Sequence, residues 1–413
     1  MGNRLLRMVT VLSFSFAAGN AAGQIYPGEE IQGKMFVEEQ AFLANMKEGL
    51  QHVQMLAVRD AMKGDYGALE EIRQSRNKAP VLPENIDIKY VASDICLFSP
   101  AGRAARKRPL LLYLHGGGWC FGSINSCARF CATLAEAGDC CVAALNYRLA
   151  PKFPFPAPLD DCRRAFEYVK RHADEWGCDS LQVSVGGDSA GGNLALATAM
   201  SVEGACKVIP IYPVTKLYTE VTPSWAEYGK GYGDDAELLE AFNEAYSGGA
   251  ARNPLVSVGL ASDETLAKLP PVLIISAGHD ILFDQTAEFA ERLHGLGHSL
   301  SYHVFPTATH LFITVPGQPT AFNESVRIVA EFINGRGCFP TTFMGATKDA
   351  RAVAGPWRFA SLIPSGCRLT PIHKVMGDHT SMTSPPPELV LRMECRGWCE
   401  RQNVMFSVVW RER

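Results

Sequence analysis

Two short segments of this chain carry residue types that could attack and stabilise a carbonyl group. His115-Gly116-Gly117-Gly118 ends an apolar run and offers bare backbone N–H groups, which can approach a developing oxyanion with no Cβ in the way. Gly187-Asp188-Ser189-Ala190-Gly191 has the form G-x-S-x-G, in which a serine on a sharp strand-to-helix turn exposes its Oγ. Gly187 and Gly191 are small enough for strand and helix to close on either side of a strained serine. The N–H of Ala190 opens the helix that follows, where the dipole favours negative charge. Ser189 as nucleophile and these N–H groups as an oxyanion site amount to acyl transfer.

A serine nucleophile needs a base, and the base needs an orienting acid. Positions 271–278 read as a buried strand running into a loop that presents Asp280. A helical stretch follows over 285–296, with Ala287, Ala290, Leu293 and Leu296 at helical spacing. A further strand over 299–305 then leads into a loop carrying His310. Asp280 and His310 therefore fall at the carboxyl edge of neighbouring strands, the edge on which Ser189 sits. Asp284 lies at the start of the helix and reads as a cap or an outward residue, and Glu288 and Glu291 belong to an exposed helical face. His279 reads as a loop hydrogen-bonder, His294 and His298 as surface residues of a glycine turn, and His303 as a satisfied mid-strand histidine. His115 reads as a brace of the glycine loop, and Asp188 as a tie between loops.

The elements that must position these residues follow from the same pattern. Residues 109–114 and 181–186 are continuous apolar runs of strand length, and 191–200 reads as the helix after the serine turn. With these in order, the chain resembles the hormone-sensitive-lipase-like esterases of the α/β-hydrolase superfamily. The matching residues are His115-Gly116-Gly117-Gly118-Trp119, Asn146-Tyr147-Arg148-Leu149-Ala150-Pro151 and Phe155-Pro156-Ala157-Pro158-Leu159-Asp160-Asp161. They continue with Gly187-Asp188-Ser189-Ala190-Gly191-Gly192-Asn193 and Leu269-Pro270-Pro271, so the likeness runs through most of 85–333. The family's acid motif D-P-L-x-D appears as Asp280-Ile281-Leu282-Phe283-Asp284, and its catalytic acid is the first aspartate. The histidine motif G-x-x-H-G-F appears as Thr307-Ala308-Thr309-His310-Leu311-Phe312, with both glycines replaced. Lys152 stands where the family often has glutamate.

The resemblance implies an α/β-hydrolase fold, a mostly parallel eight-stranded sheet flanked by helices with a helical cap. It implies a serine carboxylesterase of short- to medium-chain acyl esters, with Ser189, Asp280 and His310 as triad. The oxyanion N–H groups would belong mainly to Gly117, Gly118 and Ala190, with Gly116 beside them. A non-catalytic small-ligand-binding protein is the alternative, since the plant gibberellin receptors use this scaffold without hydrolysis. Residues 24–84 would supply cap helices, with an apolar stripe at Leu43, Met46, Leu50, Val53 and Ala57. An insertion at about 217–249 would complete the cap, and Trp119, Trp225, Tyr228 and Phe242 are candidates to line the substrate pocket. The catalytic domain is expected over 85–335.

The 413 residues and net charge of −4 point to no polyanion partner, and no basic-aromatic stripe suggests nucleic acid. No Cys/His spacing suggests a metal, no cofactor motif is present, and the partner expected is a small-molecule ester. Residues 1–23 read as an export signal: Arg4 and Arg7, an apolar stretch over 8–18, then small residues. A periplasmic or secreted protein follows, or a cytoplasmic one if the segment is a cap helix, and it is too short for a stable membrane span. Thirteen cysteines without evident pairing point away from an oxidising destination. Over 336–413 the character changes to eleven Lys/Arg against six Asp/Glu with little periodicity. That tail carries no functional expectation, and only 404–410 reads as a strand.

Overall fold

The computed structural model describes residues 25–102, 106–218, 221–335, 367–374, 389–395 and 404–408. The expected export signal therefore lies outside the described residues. The chain divides into two units, Met1–Met344 and Gly345–Arg413.

The first unit is built on eight strands. They are β1 Ile86–Ala92, β2 Ile95–Pro100, β3 Arg108–Leu114, β4 Cys141–Leu145, β5 Cys178–Asp188, β6 Val208–Ile211, β7 Val272–His279 and β8 Leu300–Thr309. Their order in the sheet is β1-β2-β4-β3-β5-β6-β7-β8. The two pairings made by β2 are antiparallel and those from β4 through β8 are parallel. Helices α1 Glu29–Ala44, α2 Leu50–Met62 and α3 Gly67–Arg76 precede the sheet. Helices α4 Ile124–Gly138, α5 Ala157–His172 and α6 Ala190–Ala199 connect its first half. Between β6 and β7 lie α7 Pro223–Tyr228, α8 Ala236–Ser247 and α9 Asp263–Leu266, and α10 Phe283–Gly295 and α11 Pro319–Ile333 complete the unit.

Parallel strands with helices on both faces must be apolar on both faces, and β3 shows why the run 109–114 is continuous. Leu110, Leu112 and Leu114 point into the core shared with α5, α6 and α10, whereas Leu111 and Tyr113 point into the core shared with α4 and α11. The two-residue period of a strand delivers successive side chains to opposite layers. Each parallel strand ends at the same edge, so the loops carrying residues 115–118, 189, 280 and 310 converge there.

The cap is assembled from two distant stretches. Helix α2 packs beside α8, where Arg59 meets Glu244 at 3.1 Å and His52 meets Glu237 at 3.3 Å. The single stripe expected from Leu43 to Ala57 is broken: α1 ends at Ala44 and Gly49 turns the chain at φ +73° before α2 begins. Leu50 and Val53 are consequently exposed, whereas Ala57 of the stripe is buried together with Met55, Val58 and Ala61. Among the described residues no helix is long and apolar enough to cross a membrane.

The second unit contains three strands, β9 Cys367–Lys374, β10 Leu389–Cys395 and β11 Val404–Val408, in an antiparallel sheet of order β11-β10-β9. The sequence pattern suggested the last of these and not the other two.

In the first unit, α11 buries Phe322, Val326, Val329 and Ile333, and β8 and α11 both end before Gly335. A chain terminated at Gly335 is therefore expected to unfold in one cooperative transition, with a midpoint for the first unit within about 4 °C of that in the full chain. Calorimetry of the two chains checks this, and loss of the transition would place the boundary further on.

Candidate active site

Ser189 lies at φ +54° and ψ −119°, a region that L residues avoid, between the end of β5 and the first turn of α6. The strain is tolerated because the neighbours enforce it. A Cβ on Gly191 would collide with the carbonyls of Leu114 and His115, and one on Gly187 with Leu114 O and the Gly191 backbone. Both positions require glycine so that α6 can pass across the end of β3.

Asp280 and His310 arrive from the loops after β7 and β8. His310 Nε2 lies 2.8 Å from Ser189 Oγ, and His310 Nδ1 lies 2.7 Å from Asp280 Oδ2. The second oxygen of Asp280 accepts the Leu282 N–H at 2.8 Å, which fixes the carboxylate plane. Asp280 and His310 are each 1 % exposed. The loop before His310 does without the family's glycines. Thr309 N–H donates to Gln318 Oε1 at 3.0 Å and Gln318 Nε2 donates to Thr309 Oγ1 at 2.7 Å, while the His310 ring rests 4.5 Å from that of Tyr212.

Asp188 accepts the Tyr113 hydroxyl at 2.9 Å and the Gly116 N–H at 3.1 Å, so it ties the glycine loop to the serine turn. Burial pushes its carboxyl up to about 6, against these hydrogen bonds. His115 is stacked on Tyr147 with ring centroids 4.3 Å apart, and the Tyr147 hydroxyl donates to His115 O at 2.8 Å. Burial pushes the His115 imidazole down to about 4, which keeps this brace neutral at physiological pH. Gly117 and Gly118 adopt φ of +111° and +59° and line the cavity beside Ser189. The Gly116 amide, expected beside the oxyanion N–H groups, is engaged by Asp188. Ala190 begins α6 with Ser189 as its N-cap.

A family profile described as the alpha/beta hydrolase fold matches residues 111–314. An esterase of Mycobacterium tuberculosis, LipI, is 30 % identical over 275 residues, covering 62 % of this chain and 85 % of that protein. The ethyl acetate hydrolase of Pseudomonas putida is 34 % identical over 229 residues, covering 54 % of this chain and 71 % of that protein. Among solved structures, a hyperthermophilic esterase from Pyrobaculum calidifontis superposes with a TM-score of 0.59 at 26 % identity, covering 68 % of this chain and 97 % of that one. This chain belongs to the α/β-hydrolase family, in its hormone-sensitive-lipase-like branch.

In this α/β-hydrolase a cavity of about 570 Å³ opens over Ser189 and His310 between the sheet edge and the cap. Of the four aromatics expected in the pocket, Phe242 lines it, close enough that a Cβ on Gly118 would strike its ring. The other three do not line it. Trp119 is fully buried and stacked on Tyr246 at 4.4 Å, where it joins the cap to the glycine loop. Tyr228 packs against His279 and Tyr232, and Trp225 packs against the hydrophobic core. Cap cores need aromatic area as much as pockets do, and sequence spacing does not separate the two. Three of the other histidines weighed from sequence are engaged elsewhere: His279 with the buried Glu39 at 2.5 Å, His298 with Leu269 O at 2.8 Å, and His303 with Ser301 at 3.1 Å.

Asp234 and Arg76, among the charged residues of the cavity wall, were not singled out from sequence. Asp234 places a carboxylate oxygen 3.3 Å from His310 Nε2, and Arg76, from the last turn of α3, contributes its charge to Asp234. In sequence Asp234 is one of two aspartates before α8, where acidic residues serve helix starts, and nothing local marks it for the site. Burial opposes protonation of His310, but Asp280 and Asp234 outweigh it and lift the imidazole to about 9.

Asp284 does not approach His310. It accepts the Ser224 N–H at 2.7 Å and so holds the start of α7. Asp280→Asn is expected to lower kcat by about 10³- to 10⁴-fold, because the amide disfavours the tautomer that His310 needs. Asp284→Asn is expected to leave kcat within about tenfold and to lower thermal stability, since it weakens a charge-assisted hydrogen bond. Steady-state kinetics and melting curves of the two variants check the order.

Proposed function

We propose that this carboxylesterase-type hydrolase cleaves short- to medium-chain acyl esters of small molecules through an acyl-enzyme on Ser189. The single observation that carries this reading is the unbroken buried chain Ser189 Oγ–His310 Nε2 and His310 Nδ1–Asp280, whose Ser189 and His310 line one cavity.

In this mechanism Ser189 Oγ attacks the ester carbonyl carbon as neutral His310 takes its proton at Nε2, and Asp280 stabilises the imidazolium that forms. The tetrahedral oxyanion is received by N–H groups of Gly117, Gly118 and Ala190, which are preorganised by the positive φ of the two glycines and by the start of α6. The C–O bond to the alcohol then breaks, with the Nε2 proton going to the departing oxygen. Water enters, gives its proton to His310 and attacks the acyl carbon. Collapse releases the carboxylic acid and returns the proton to Ser189. A relative named as an ethyl acetate hydrolase supports an acyl group of modest size, and so does the Phe242 ring standing against Gly118 in the cavity wall.

Two outcomes follow. Ser189→Ala is expected to keep the fold and reduce ester hydrolysis by several orders of magnitude, since triad members act as a unit. Across nitrophenyl esters from acetate to palmitate, kcat/KM is expected to peak at short or medium chains and to fall for palmitate. Near-native turnover by folded Ser189→Ala would sink the serine mechanism, and a preference for palmitate over butyrate would sink the acyl-length assignment.

A further inference from the structure

The base in this site is held more tightly than hydrolysis needs. Nδ1 of His310 already has its carboxylate, Asp280, at 2.7 Å, yet a second one, Asp234, stands 3.3 Å from Nε2. That nitrogen must be unprotonated to accept the Ser189 proton. With Nδ1–H directed at Asp280, a neutral imidazole presents a lone pair at Nε2, which an ionised Asp234 repels. An imidazolium presents an N–H there, which Asp234 attracts. The geometry therefore favours the form of His310 that cannot act as base.

The same geometry says how the hold is released. The leaving alcohol oxygen must come within hydrogen-bond reach of Nε2 to collect its proton. Asp234 lines the cavity on that side of the ring. One N–H cannot serve both the departing oxygen and the carboxylate, so a bound ester has to push Asp234 aside. The loop that carries Asp234 turns at Gly231 and Gly233, with φ of +81° and +125°, and is tied to the N-terminal cap by Gln51 Nε2, which donates to Gly233 O. Arg76 in the cavity wall offers the displaced carboxylate a partner.

We propose that Asp234 is a cap-borne positioning residue that holds His310 protonated in the empty site and is displaced by substrate, so that the base is released when the ester binds. The proposal rests on the esterase reading above. The charged and titratable groups facing His310 are Asp280 from the loop after β7, Asp188 at the end of β5, Asp234 from the cap, and Tyr212 after β6. Those acting on Asp234 are His310 and Arg76, which favour its anion, and Asp280 and Asp235, which oppose it. Burial raises the Asp234 carboxyl above its ordinary range, and His310 and Arg76 offset part of that rise.

Removing a negative charge beside an imidazole lowers its pKa, and hydrolysis needs the neutral ring, so the acidic limb of activity must move to lower pH. The profile of kcat/KM reports the free enzyme and that of kcat the complex. The test uses the full chain with para-nitrophenyl butyrate from about pH 5 to about pH 10. In the unmodified protein the limb of kcat/KM is expected to lie at least about one unit above that of kcat. Asp234→Asn is expected to bring the kcat/KM limb down onto the kcat limb, raising kcat/KM near neutral pH about tenfold, because each unit is a factor of ten in neutral imidazole. Asp234→Glu is expected to keep the separation.

Coincident limbs in the unmodified protein, or a uniform loss in Asp234→Asn with no shift, would overturn the proposal. NMR titration of the His310 ring, in the full chain and in Asp234→Asn, reads the same shift without turnover, and an unchanged titration overturns the proposal too. Absence of any Ser189-dependent hydrolysis at all pH values would instead refute the esterase reading, which keeps the two failures apart.

Discussion

The close passage of α6 across the end of β3 is the constraint from which the site is built. It leaves no room for a Cβ at Gly187 or Gly191, and it forces Ser189 into a backbone region that costs about 1–3 kcal/mol in an L residue. Strand β5 and helix α6 bury almost every side chain they carry here, so the surrounding core holds the turn in place. In return Oγ stands clear of the sheet edge, where residues from β7 and β8 can reach it. The parallel register of β5 through β8 does the rest, because it brings each following loop to the same edge one strand further along.

Around that turn the protein maintains a buried site whose polar groups are mostly paired. Asp188 gathers Tyr113 and the Gly116 amide, the Tyr147 hydroxyl fixes the His115 carbonyl, and Gln318 grips Thr309 from two sides. Each bond would be worth little in water and is costly to leave unmade when buried. Their joint effect is that the glycine loop and the histidine loop are each held by side chains from other elements, so the glycines usual around the histidine are dispensable. The same burial magnifies charge. His310 is driven towards its cation by carboxylates on both sides, although burial alone would drive it the other way.

Legibility from the sequence followed the range of the interactions. Ser189, Asp280 and His310 were readable because each sits in a motif tied to a strand end, and the strands announce themselves as continuous apolar runs. The contrast between Asp280 and Asp284 was readable as well, since the second lies inside the helix and its partner proves to be Ser224 of α7. The pocket aromatics were not readable: Trp119 and Phe242 are both apolar and near the site in sequence or cap, yet one stacks on Tyr246 and the other faces the cavity. The Gly116 amide looked like its neighbours until its bond to Asp188 was seen.

Local chemistry therefore determined the class of fold, the order of its elements and the three residues, Ser189, His310 and Asp280, that form one hydrogen-bonded chain. Backbone strain, apolar periodicity and strand-end placement are properties of a few consecutive residues, and the sequence displays them directly. Only the tertiary structure decided which side chains close the cavity and which charges act on the base. Asp234, Arg76 and Gln51 come from two cap stretches more than 150 positions apart, and their encounter with one another and with His310 depends on how α2 and α3 dock beside α8. No pattern within either stretch encodes that docking, because it is set by the complementary surfaces the two present once folded.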